Sequence, residues 1–140
     1  MKRLLGLDYG GERIGVAVSD ESGTLASPHG VIRHKGWGPS SRQVGELAVR
    51  FDCEYVVLGL PRNMDGSLGG QALEAQGFGE RLTELGLKVV YEDERLSSVD
   101  AEEKLREGGR RGGQIKDRVD QAAAAVILQE HLDRLRAASI

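Results

Sequence analysis

The chain has 140 residues, 39% apolar and 29% charged, which is the balance of one globular domain with a single core and excludes a disordered chain. Its net charge of −3 excludes a global attraction for nucleic acid, so any polyanion must be held by a local basic patch. The opening Met1-Lys2-Arg3-Leu4-Leu5 is interrupted by Asp8 too early for a signal-peptide core, and no apolar run approaches the roughly 18 residues of a membrane span, so a cytoplasmic protein without a membrane partner is expected.

In chain order, Arg3–Asp8 reads as a short buried strand, Gly10-Gly11 as a turn and Ile14–Ser19 as a second, β-branched strand. A turn at Asp20–Gly23 leads to a weaker third strand, Thr24–Arg33, interrupted by Pro28. Two tight turns in succession predict an antiparallel meander. Gly36-Trp37-Gly38-Pro39 reads as a loop, with Ser40 or Ser41 capping a helix that runs to about Asp52. Glu54–Leu60 is nearly all apolar and stops at Pro61, the pattern of a strand covered on both faces. The polar, glycine-rich Asn63–Gly70 loop follows. Leu68, Ala72, Ala75, Phe78, Leu82 and Leu85 then recur at helical spacing. Lys88–Tyr91 is a fifth strand. Ser97 and Asp100 resemble a capping box that opens a helix to about Glu107, and a last helix runs from near Asp117 to about Ala137. A meander followed by β-α units predicts an α/β fold, a mixed five-stranded sheet flanked by helices.

Asp8 is the anomaly. A carboxylate ending a buried strand is costly unless compensated. It either caps the Gly10-Gly11 turn or serves as a metal or phosphate-site residue. "YEDERLSS" adds Glu92, Asp93 and Glu94 at the end of the fifth strand, with Glu92 and Glu94 on one side if the strand continues. "KDRVDQAAAAVILQ" adds Asp117, a natural N-cap, and Asp120, which at the third helical position would complement the helix dipole. Acids at three element ends can also converge, and converging carboxylates favour a divalent cation with a preference for oxygen ligands, Mg²⁺ or Mn²⁺. Cys53 lies beside an apolar strand without a partner and reads as an inert thiol. His29, His34 and His131 show no ligand spacing.

Four motifs, "GLDYGGERIGVAVSD", "VVLGLPRNMDGSLGGQA", "DERLSS" and "VDQAAAAVILQEHL", resemble in order and spacing the YqgF/RuvX family of Holliday junction resolvase-like proteins, also described as pre-16S rRNA nucleases. The resemblance spans the whole chain. It implies an RNase H-like fold, divalent-metal nuclease chemistry and trimming of the 5′ end of precursor 16S rRNA. A junction-resolving DNA endonuclease and a non-catalytic nucleic-acid-binding module are the alternatives. The family's acids carry over onto Asp8, Glu94 and Asp120, with Asp65 and Asp93 as substitutes for Glu94. Two metals about 3.5–4 Å apart would then be bridged by Asp8 and held one each by Glu94 and Asp120. The chain departs from the family at Glu12, where Lys is frequent.

For nucleic-acid contacts the expected residues are Arg13, Asn63, Ser67, Arg95, Arg110, Arg111 and Lys116. Arg13 reaches phosphate or forms an ion pair, and Arg95 pairs with phosphate or holds Glu94. Asn63 and Ser67 belong to a loop that offers backbone N–H groups and a hydroxyl. Arg110 and Arg111 lie among Gly108, Gly109, Gly112 and Gly113, a segment read as a mobile phosphate clamp or a plain linker. Trp37 packs on its own domain or stacks on a base. The expected partner is nucleic acid, with association into a homodimer left open.

Overall fold

The computed structural model describes residues 2–63, 65–94 and 113–138. Within them lie β1 (Arg3–Asp8), β2 (Arg13–Ser19), β3 (Ala26–Arg33), α1 (Trp37–Arg50), β4 (Cys53–Leu60), α2 (Gly70–Glu84), β5 (Val89–Asp93) and α3 (Gly113–Ala138). The strands form one sheet in the order β3-β2-β1-β4-β5. β1, β2 and β3 are the antiparallel meander, while β4 and β5 run parallel to β1. This is the mixed sheet that the alternation of tight turns and helical segments predicts. The helix expected over Ser97–Glu107 lies outside the described residues.

Side-chain alternation along the strands divides the core in two. Leu5, Leu7 and Tyr9 of the first strand segment, with Val56, Leu58 and Leu60 of β4, pack against Val44 of α1 and Ala72, Ala75, Phe78 and Leu82 of α2. Leu4, Ala17 and Val57 point the other way, onto Ala124, Ile127, Leu128 and Leu132 of α3. The sheet is therefore covered on both faces, which is why β1 and β4 read as continuous apolar runs. Close packing of α3 needs glycines beneath it: a Cβ at Gly6 would sit 2.7 Å from Leu128 Cβ, and one at Gly59 would sit 2.6 Å from Ile127 Cδ1.

The starts of two helices differ from the sequence expectation, and the edge strand is irregular. α1 begins at Trp37 behind Gly36, whose φ of 108° suits glycine, and Ser40 and Ser41 are buried inside the helix rather than capping it. Pro39 in the first turn leaves no hydrogen bond unmade there, so it opens the helix instead of delaying it. β3 tolerates Pro28 because it is an edge strand, and its register with β2 shifts between Val16 and Ala17, opposite Gly30 and Pro28. α3 starts at Gly113, four residues before Asp117, so Asp117 is not the N-cap and Asp120 is not at the third helical position. No helix among the described residues is long and apolar enough to cross a membrane.

Candidate active site

β1, β4 and β5 are parallel, so their carboxyl ends share one edge of the sheet, the edge at which open α/β sheets bind ligands. Asp8 is the last residue of β1. Glu94 follows β5 directly, its N–H donating to the Leu60 carbonyl at 3.1 Å. Asp8 shares its parity with Leu4 and Gly6, and its carboxyl belongs to the α3 face. Across the ladder Asp8 pairs with Gly15. A side chain at Gly15 would drive into the Asp120 carbonyl oxygen. The missing Cβ thus lets the first turns of α3 settle on β2 beside Asp8. On α3, Asp120 heads the stripe continued by Ala124, Ile127, Leu128 and His131, the helical spacing that faces the sheet.

This approach has an electrostatic consequence. Asp8 is partly buried, and burial first, then the charge of Asp120, push its carboxyl up from 3.8 to about 7. Two acids are held where ionising both is unfavourable. Arg13, at the start of β2, donates from Nε to Asp120 Oδ2 at 2.7 Å. That hydrogen bond raises the guanidinium pKa further. Arg13 also lies 3.8 Å from Asp117 and 3.5 Å from Glu12. Arg33 grips Asp117 with both guanidinium nitrogens, at 3.0 and 2.6 Å.

Glu94 stands in a second group of acids on the same face. β5 extends to Asp93, two residues past the expected end, and its alternation buries both Glu92 and Glu94. Carboxylate oxygens of Glu92, Glu94 and Glu130 lie within 4.8 Å of one another. Glu130 is hydrogen-bonded to Glu94, and its pKa is raised, by burial first. Such a carboxyl–carboxyl bond needs a proton between the two. Glu92 is itself compensated: Arg134 pairs with it, and His131 Nδ1 lies 3.5 Å away while His131 Nε2 meets the Tyr55 hydroxyl at 2.6 Å. Among the described residues Asp8, Glu94 and Asp120 do not close into a set within 4.8 Å. Glu94 leans from the end of β5 over Gly59 of β4, where an added Cβ would lie 3.4 Å from its Cγ, so it sits between the Glu92–Glu130 group and the end of β1. The structure therefore couples Asp8 to Asp120 and places Glu94 on the same face with Glu92 and Glu130.

The two substitutes for Glu94 are engaged elsewhere. Asp93 points to the opposite face, 3.6 Å from Arg62. Asp65 accepts from the Ser67 N–H at 2.9 Å and the Ser67 hydroxyl at 2.6 Å. Asn63 donates to Ser67 Oγ at 3.0 Å, so these two residues build the turn of the loop that follows β4. Lys116 is exposed on the first turns of α3. Arg95, Arg110 and Arg111 lie outside the described residues. Trp37 packs down on its own domain: it donates to the Tyr9 hydroxyl at 2.9 Å and fills the space over Gly77, where a Cβ would meet its ring at 2.5 Å. Cys53 is half-buried, and burial raises its thiol to about 11. His34 links the Tyr9 and Ser40 hydroxyls at 2.9 and 2.7 Å. Arg33 and Glu130 were not distinguishable by local pattern. Glu130 does follow Ile127 at helical spacing, together with His131 and Arg134, a stripe that reaches β5 only because α3 crosses the sheet obliquely.

A family model described as RuvX, Holliday junction resolvase, matches residues 2–134. A protein of Caldanaerobacter subterraneus subsp. tengcongensis named as a candidate pre-16S rRNA nuclease is 44% identical over 133 residues, 94% of this chain and 96% of its own length. One of the same name from Synechococcus elongatus is 41% identical over 133 residues, 94% of this chain and 89% of the relative. Among solved structures, Thermus thermophilus RuvC in complex with a Holliday junction substrate aligns with a TM-score of 0.57 at 18% identity, over 94% of each chain. The Fowlpox virus resolvase bound to junction DNA aligns at 0.56 and 13% identity, over 95% of this chain and 98% of that one. These structural likenesses establish a RuvC-like fold of the RNase H type.

Proposed function

This chain belongs to the RuvX family of Holliday junction resolvases, and on that premise we propose that it is a divalent-metal-dependent nuclease that hydrolyses phosphodiester bonds of precursor 16S rRNA to trim its 5′ end. The observation that carries the reading is the seating of Asp120 on Gly15, the ladder partner of Asp8, at the carboxyl edge of the parallel strands, on the face that also bears Glu94. The donor set suits a hard divalent cation. It is all oxygen, it is anionic, and both influences on Asp8 disfavour its charge in the absence of a cation. Asp8, Asp120 and Glu94 would hold Mg²⁺ or Mn²⁺, which when bound neutralises phosphate oxygens and activates water for attack.

The chain's own residues do the rest. Asp8 presents its carboxyl from a strand paired on both sides, and so fixes the place where a cation, and through it a substrate phosphate, would sit. Asp120 stands beside Asp8 on α3 and accepts a hydrogen bond from Arg13 Nε. Glu94 and Glu130, which share a hydrogen bond, can hold a proton beside the site. The turn built by Asn63 and Ser67 follows β4 at the same edge and offers polar groups to the backbone of a strand of RNA. Lys116, Arg95, Arg110 and Arg111 would supply the local positive charge that a chain of net charge −3 needs. The place of action is the cytoplasm. The test is a panel of precursor 16S rRNA, unstructured RNA and four-way DNA junctions offered with Mn²⁺. Cleavage restricted to the precursor's 5′ side supports the reading, whereas cleavage of junctions alone assigns the chain to DNA resolution.

A further inference from the structure

We propose that Arg13 is a positioning residue that holds Asp120 toward Asp8 as the last link of a brace running from the edge strand, and that it is not a phosphate contact. This rests on the reading of Asp120 as a metal ligand. An arginine beside a nuclease site is ordinarily read as binding substrate phosphate, and the geometry separates the two roles. A phosphate-binding arginine keeps its planar fork free. Arg13 instead commits Nε to Asp120 at 2.7 Å, has Nη1 3.5 Å from Glu12, and keeps a side chain only 19% exposed.

The brace has a second tier. Arg13 and Arg33 are direct partners across the β2–β3 ladder. Both reach up to α3: Arg33 clamps Asp117 with two hydrogen bonds, and Asp117 lies 3.8 Å from Arg13 Nε. Asp117 and Asp120 are three residues apart, one turn of helix, so the two arginines fix both the height and the rotation of that turn over the sheet. Gly15 makes the same turn sit close, because Asp120 backbone occupies the space its side chain would take. Apolar packing of Ala124, Ile127, Leu128 and Leu132 seats the body of α3 on the sheet. The two arginine–aspartate pairs one turn apart act at its first turns and set the direction of the Asp120 carboxylate. Residues that orient metal ligands from behind typically affect metal affinity by about 10–100-fold.

The experiment compares wild type with Arg13→Gln, Arg13→Lys and Arg33→Gln by Mn²⁺ titration calorimetry, by RNA binding in EDTA across a salt series, and by thermal melting in EDTA. Arg13→Gln should weaken Mn²⁺ binding by about 10–100-fold and lower kcat in step. RNA affinity in EDTA and its salt slope should stay as in wild type. Arg13→Lys should recover part of the loss, and Arg33→Gln should show a smaller loss in the same direction. The opposite pattern, normal Mn²⁺ affinity with weaker RNA binding and a salt slope shallower by about 0.7, makes Arg13 a phosphate contact and overturns the proposal. A metal-free cycle separates the brace from the metal reading. Asp120→Asn should be better tolerated in the Arg13→Gln background than in wild type, by about 2–4 °C in Tm. Additive shifts overturn the brace. Non-additive shifts in a protein that binds no Mn²⁺ uphold the brace and refute the metal reading.

Discussion

Asp8→Asn should stabilise the metal-free protein at alkaline pH while abolishing cleavage. The folded protein raises the Asp8 carboxyl from 3.8 to about 7, through burial first and Asp120 second. A raised acid holds its proton more tightly in the folded state than in the unfolded one. Its contribution is therefore intact below about pH 4 and is lost as pH rises to about 7. A rise of that size corresponds to about 4 kcal/mol as a ceiling, of which about three-fifths falls between pH 5 and pH 8. Asp8 retains some exposure, which lowers that figure. The stability difference between Asp8→Asn and wild type should thus grow in the variant's favour by about 1–3 kcal/mol from pH 5 to pH 8 in EDTA. Taking the difference between two pH values cancels any packing change that Asn introduces equally at both. Urea denaturation at each pH measures it. Saturating Mn²⁺ should erase the wild-type deficit and leave Asp8→Asn unmoved. A pH-independent difference, or equal stabilisation of both proteins by Mn²⁺, would refute the reasoning.

Three further outcomes are expected. Gly15→Ala should destabilise the fold by at least about 2 kcal/mol and weaken Mn²⁺ binding, because its Cβ meets Asp120 backbone and not a movable side chain, whereas Gly11→Ala, with open space around it, should leave both nearly unchanged in melting and titration experiments. Cys53→Ser should preserve turnover at some cost in stability, and the native thiol, raised to about 11, should react slowly with alkylating agents at neutral pH; loss of cleavage on alkylation of folded protein would contradict this. Arg110→Ala with Arg111→Ala should weaken RNA binding across sequences and flatten the salt slope by roughly one to two units, with Mn²⁺ binding unaltered.

The strands and their parity were readable because periodicity is local. Glu54–Leu60 announces a strand covered on both faces, and Glu92 with Glu94 announces two acids on one face, and both hold in the structure. Asp8 was recognisable for the same reason: it is the acid that ends the apolar run Leu4–Leu7. The start of α3 was not readable. Glycines at Gly112 and Gly113 argue against helix on propensity, yet the helix begins at Gly113, because α3 is held by tertiary contacts. Those contacts are the close approach over Gly15 and Gly6 and the ion pairs from Arg13 and Arg33. Arg33 sits 84 residues from its partner Asp117, and no local pattern links them. The meeting of Glu130 with Glu94 depends likewise on the angle at which α3 crosses the sheet, a quantity absent from any window of sequence.

The central claim, a nuclease whose acids act through a divalent cation on precursor 16S rRNA, is tested most directly by mapping the 5′ ends of that RNA after incubation with the purified protein. Wild type in Mg²⁺ or Mn²⁺ should yield a discrete, shortened 5′ end, and EDTA should abolish it. Asp8→Asn, folded and melting no lower than wild type in EDTA at pH 8, should leave the precursor intact at every metal concentration. Cleavage that persists in EDTA, or in Asp8→Asn at a rate near wild type, would contradict the account.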